Sequence, residues 1–181
     1  MKSIGSRASS FLLALSLGSA ALPALADDAC LDFKWDVSKE RALFASMPAS
    51  LNAAKDPVSA PVIVPNRLYA LRLAAQDQVA FPLPPPTKKM AAASAYAGIV
   101  TLKISTPGSY RVAVDLPLWI DMVSNGSLAQ PTDFQGQHEC SAPHKIVVFE
   151  FNGAGPFVLQ LSSAAKDNVL LTVTPAPPRT L

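Results

Sequence analysis

Between Ala97 and Val123 the chain reads AGIVTLKISTPGSYRVAVDLPLWIDMV, and few folds accommodate such a stretch. Val100, Leu102 and Ile104 alternate with Thr101 and Lys103. Successive side chains of a strand point to opposite faces, so one face here is apolar and the other polar. Tyr110, Val112, Val114 and Leu116 repeat the rhythm against Arg111, Ala113 and Asp115. Pro107-Gly108-Ser109 between the two runs is a turn signal, because Pro holds φ negative and Gly accepts a positive one. The expectation is an antiparallel hairpin with one buried and one wet face. A third strand, Leu118 to Val123, follows Pro117.

Alternation recurs at Arg67 to Leu73, Lys145 to Phe151, Phe157 to Leu161 and Val169 to Thr174. Asn125-Gly126 is a strong hairpin turn. Helical spacing is confined to Lys39 to Met47, with Ser38 as the expected cap and Leu43, Phe44 and Met47 on one side. Pro48 closes that helix. Ala49 to Pro61 is small and polar and reads as a loop. Phe81 to Lys89 carries four prolines, which remove ladder donors, so it reads as an extended edge or surface loop, with a recognition tract as the alternative. About eight short strands with one short N-terminal helix point to an all-β fold, an antiparallel β-sandwich.

The first 26 residues have the build of a signal peptide. Lys2 and Arg7 precede a mostly apolar run from Phe11 to Leu25, and Ala24 and Ala26 place small residues where a signal peptidase reads. Cleavage after Ala26 would release a periplasmic product without a transmembrane segment, since the run is too short and broken to span a bilayer. The remainder divides into an arm with the helix (27–60), the sandwich (61–175) and a loose tail (176–181). Of the 15 Lys and Arg, two lie in the leader, leaving 13 against 13 Asp and Glu. A neutral surface without basic clusters argues against nucleic acid or an anionic membrane as partner. Cys30 and Cys140 are the two cysteines, and in an oxidising compartment the simplest reading is one disulfide stapling the arm to the sandwich. Two free thiols or a metal site are the alternatives.

Residues with chemistry are sparse. His138, Glu139, Cys140 and His144 spell H-E-C-x-x-x-H, side chains able to ligate a transition metal, although a disulfide would withdraw Cys140. No nucleophile motif occurs, so no catalytic residue is assigned and no cofactor is expected. Asp115 and Asp121 are conceivable as an acid/base pair, but outward, solvated aspartates are the commoner case. If Leu118, Ile120 and Met122 face the core, Trp119 and Asp121 point away, an arrangement suited to a sugar or peptide. Cover of Trp119 by the N-terminal helix or by the Phe33 and Trp35 arm is the competing expectation. Phe134, in the polar loop that leads to His144, is the third candidate ligand contact.

The segments FKWDVSKERALF, YAGIVTLKISTPGSYRVAVDLPLWIDMV, DFQGQHECSAPHKIVVFEF and FVLQLS together resemble a family of small periplasmic proteins of proteobacteria. Some members carry the name homogentisate 1,2-dioxygenase. That enzyme needs two His and a Glu around iron in a longer cupin-type chain, and the histidines here sit in one short loop. Gly108, Tyr110 and Val112 also resemble the G-x-Y-x-V pattern of pre-peptidase C-terminal domains, which implies a non-catalytic, jelly-roll-like accessory sandwich. The expected function is therefore a periplasmic binding or envelope accessory protein whose partner is a small molecule, a glycan or an envelope protein. A small metal-binding protein or enzyme using His138, Glu139 and His144 is the alternative.

Overall fold

The computed structural model describes residues 30, 32–85 and 94–177. The expected leader with its cleavage site, the Lys88-Lys89 end of the proline-rich stretch and the last residues of the tail lie outside these. In chain order the elements are helix α1 (Ser38–Phe44) and strands β1 (Ala49–Asn52), β2 (Val62–Ile63), β3 (Leu68–Arg72), β4 (Ala74–Ala75), β5 (Tyr96–Ile104) and β6 (Gly108–Val114). There follow β7 (Trp119–Ser124), β8 (Ser127–Ala129), β9 (Asp133–Gly136), β10 (Lys145–Phe151), β11 (Gly155–Ala164) and β12 (Asn168–Pro175). A first sheet runs β1-β3-β12-β6-β10-β9, and a second runs β2-β5-β11-β7-β8 with β4 added on β5. Their facing rows close one core: Val100, Leu102 and Ile104 from β5, Val112 and Val114 from β6, Phe149 from β10 and Leu171 from β12 are all buried. The fold is an all-β sandwich with a short helix.

The expected hairpin does not form. β5 and β6 lie in different sheets; β5 pairs with β11, and β6 pairs with β10 and β12. Alternation fixes which face of a strand is buried but not which strand lies beside it. Both inward rows are apolar, so each strand can close the core from opposite sides. Packed sheets lie about 10 Å apart, and three residues, Ser105 to Pro107, cover that gap at about 3.3–3.6 Å per residue. Asn152 to Ala154 carry β10 across to β11 in the same way. Asn125-Gly126, by contrast, is a true hairpin turn: Ser124 pairs with Ser127, and the two residues between have φ of 50° and 71°, as a two-residue loop matching strand twist requires.

Twelve strands are found among the described residues rather than about eight, and the sheets are mixed rather than purely antiparallel. The segment read as a loop contains β1, which joins β3 in parallel, and β2 likewise joins β5 in parallel. Both are short edge strands, of four and two residues, too brief to stand out as a repeat.

The helix differs too. It spans Ser38–Phe44; Ser38 is its first residue, and the Asp36 carboxylate accepts the Ser38 N–H at 2.9 Å in place of a serine cap. Met47 lies beyond it and is 94% exposed, and the residue the helix buries is Glu40. The reason is what lies beneath: Glu40 accepts from Thr174 Oγ1 and pairs with Arg111 Nη1 at 3.5 Å. Arg111 Nη1 also donates to Asp36 O at 2.8 Å, and its guanidinium lies 5.3 Å from the Trp35 ring centre. Cys30 and Cys140 form the expected disulfide, and Phe33 and Val37 pack beside it on Ala113 and Ile146. The arm therefore covers the outer face of the first sheet. Among the described residues no helix is long and apolar enough to cross a membrane.

Candidate functional site

β7 and β10 begin at the same end of the sandwich, where β6 finishes: Lys145 pairs with Val114, the last residue of β6. Lys145 shares the inward face of β10 with Val147, Phe149 and Phe151, because residues two apart point the same way. Its long stem carries the ammonium across to the second sheet, where Nζ donates to Leu118 O at 2.8 Å and lies 5.1 Å from the Trp119 ring centre. Trp119 Nε1 in turn donates to Asp121 Oδ1 at 3.0 Å. Gln160, opposite Asp121 on β11, donates from Nε2 to Asp121 Oδ2 at 3.4 Å and to Leu83 O at 3.0 Å.

Trp119 is half-buried, and the arm does not cover it, since the arm lies on the other sheet. Asp121 points away from the core as expected but is only 9% exposed, not solvated. Burial pushes its carboxyl above the ordinary 3.8, against the hydrogen bonds from Gln160 and Trp119 and the Lys145 charge. Burial likewise lowers Lys145 below 10.5, with Asp121 opposing. Yet the ion pairs among the described residues are Lys34–Asp133 and Arg111–Glu40, and Lys145 is in neither.

Asp115 and Asp121 do not meet as an acid/base pair. Asp115 accepts from the Leu170 N–H at 2.9 Å, and the charges it feels are those of Lys166 and His144. Burial raises Asp115 and lowers His144 from 6.5. His138 and His144 stand edge to face with ring centres 5.7 Å apart, and Cys140 is tied up in the disulfide. Among the described residues no three His, Cys, Asp or Glu side chains gather as a metal site. Phe134 is 65% exposed on edge strand β9, opposite Val147. It is thus the diagonal neighbour of Lys145 on the same face, about 7–8 Å away between backbones.

Lys145 and Gln160 complete this site, and sequence reasoning passed over both. The signal was available for Lys145: in KIVVFEF it holds the same parity as Val147 and Phe149, and a lysine on a core-facing parity calls for an explanation. Gln160 sits inside the apolar run FVLQLS, where a lone amide needs a partner. No family model matches this chain, and neither does any curated protein.

Proposed function

We propose that this chain is an exported, periplasmic, non-catalytic binding or envelope accessory protein, and that it holds an acidic group of its ligand at Lys145 beside Trp119. The observation that carries the reading is the Lys145 ammonium. It is half-buried, engages one backbone carbonyl, and stands in no ion pair among the described residues. The nearest carboxylate, Asp121, acts on it without direct contact and is held by Trp119 and Gln160, so a half-desolvated cation keeps room for an anion. A ligand carboxylate fills that place through a charge-assisted hydrogen bond. Asp121 fixes the indole, and Phe134 offers an exposed ring to an apolar neighbour of the acid. The disulfide and the basic, apolar leader support the compartment; protein recovered from the periplasm should begin at Asp27.

The test follows the Trp119 indole N–H resonance while N-acetylated amino acids and sugar acids are added, each beside its uncharged amide or neutral parent. The acids should shift the resonance and the uncharged partners should not. Lys145→Met should weaken binding by about tenfold or more, as loss of a hydrogen bond to a charged group implies. Equal binding of acid and amide, no response to any acid, or an unaffected Lys145→Met variant would overturn the reading.

A further inference from the structure

At the opposite end of the sandwich, where β7 and β10 finish, a cleft of about 590 Å³ opens between the Asn125-Gly126 turn and the Asn152 to Ala154 link. Its volume lies within the range of small-molecule sites, about 300–1,000 Å³. Phe157 is half-buried in its wall, with its ring centre 4.5 Å from that of buried Phe151 at an interplanar angle of 58°. Ser124, Asn125, Glu150 and Asn152 supply its polar groups. A Cβ built on Gly126, Gly153 or Gly155 meets nothing within 4 Å, so these three glycines of the lining leave open space beside them.

The lining selects the ligand. It holds one carboxylate and no Lys, Arg or His, which disfavours an anion. Side-chain amides and hydroxyls both donate and accept, the pairing that neighbouring hydroxyls of a sugar need. Phe157 offers an apolar surface to the C–H face of such a ring. Glu150 already accepts from Ser109 Oγ and is exposed, so its charge is screened and gives a cationic amine little hold. We propose that the cleft between the β7–β8 turn and the β10–β11 link is a binding site for a neutral sugar residue, separate from the Lys145 site.

The test titrates the disulfide-bonded chain with glucose, N-acetylglucosamine and maltose, reading backbone amide shifts. Shifts are expected to concentrate at Asn125, Gly126 and Asn152 to Gly155, and glucuronate should bind more weakly than glucose. Phe157→Ala should weaken the sugar about tenfold, or about 1.4 kcal/mol. Since Phe157 also packs on Phe151, Gly153→Phe is the second variant: its Cβ meets open space and its φ is not left-handed, so the fold should persist while the cleft fills. Unchanged thermal unfolding with lost sugar binding supports the site. Lys145→Met should leave sugar binding unchanged. No shifts at tens of millimolar sugar, shifts scattered over the surface, or full binding by Gly153→Phe would overturn it. Binding of methylammonium but no sugar would overturn the ligand class.

Discussion

Where β7 and β10 begin, Lys145 reaches inward, and burial shifts Asp115, Asp121, His144 and Lys145 away from their ordinary values. Where the same strands finish, the chain turns on Asn125-Gly126 and crosses on Asn152 to Ala154, and a hollow lined by neutral polar groups remains. The strands are shared, so strand packing does not decide between these outcomes. The connections do. A lysine on an inward parity plugs one end with its stem and leaves its charge half-dry. Glycines in two- and three-residue links leave nothing to plug the other. A sandwich thus acquires two chemically opposite ends from one core.

Removing the disulfide should have the largest effect and should break the symmetry between the ends. Cys30 and Cys140 are 110 residues apart, and cross-linking a loop of that size is worth about 4–5 kcal/mol in the chain-entropy account. The Cys30→Ala, Cys140→Ala protein should lose about that much in urea unfolding. Cys140 sits in the loop that delivers His144 and Lys145, so amide exchange around 137–146 should accelerate first, before that around 124–126 and 152–155. Equal acceleration at both ends would mean that the sandwich loosens as one body and that the ends are not separately held.

Gly126→Ala probes the hollow end with a smaller cost. Gly126 has φ of 71°, and an L-residue with a Cβ is disfavoured there by about 1–2 kcal/mol. Unfolding stability should fall by about that amount, and the Trp119 indole resonance should not move. A shift of that resonance would show that strain travels along β7, and the two ends would then be coupled.

What the sequence disclosed follows the same division between strands and connections. The inward rows of β5, β6, β7, β10 and β12 were legible because each second residue is apolar, and the β7–β8 turn was legible because Asn-Gly suits one geometry. Pro107-Gly108 signals a change of direction equally well but does not say whether the chain returns beside itself or crosses the core. That depends on β11 and β12, some 50 residues later in the chain. β1 and β2 escaped notice because short parallel edge strands draw their stability from neighbours distant in sequence. At the candidate site Trp119 and Asp121 were visible as an outward pair; the parity of Lys145 marked it as inward, but its partner Leu118 shows only once β10 is seen to lie in the sheet opposite β7. Glu40 is a similar case: its burial depends on Arg111 and Thr174, both far along the chain.

The smallest expected effect is also the one most specific to the plugged end, and its sign changes with pH. His144 faces His138, Asp115 and Lys145, and burial holds its folded value below 6.5. The unfolded chain therefore takes the proton first, so stability falls as pH drops from 6.5 through the folded value of His144. Asp115 and Asp121 have folded values above 3.8, so the native state takes their protons first. Acidification from those folded values toward 3.8 then restores stability. Asp36 and Asp56 are lowered by hydrogen bonds from Ser38 and Ser59 and act below 3.8, outside both windows. Urea midpoints measured between neutral pH and pH 3.8 should accordingly dip and then recover. His144→Gln should remove the dip, and Asp121→Asn, which keeps an acceptor for the Trp119 indole, should blunt the recovery. Lys145 adds the alkaline counterpart: the unfolded chain keeps that proton longer, so stability should rise as pH climbs from its folded value toward 10.5, and Lys145→Met should abolish the rise. A flat profile in the native protein would place these four groups in solvent rather than beneath the closed end, and the contrast between the two ends would disappear.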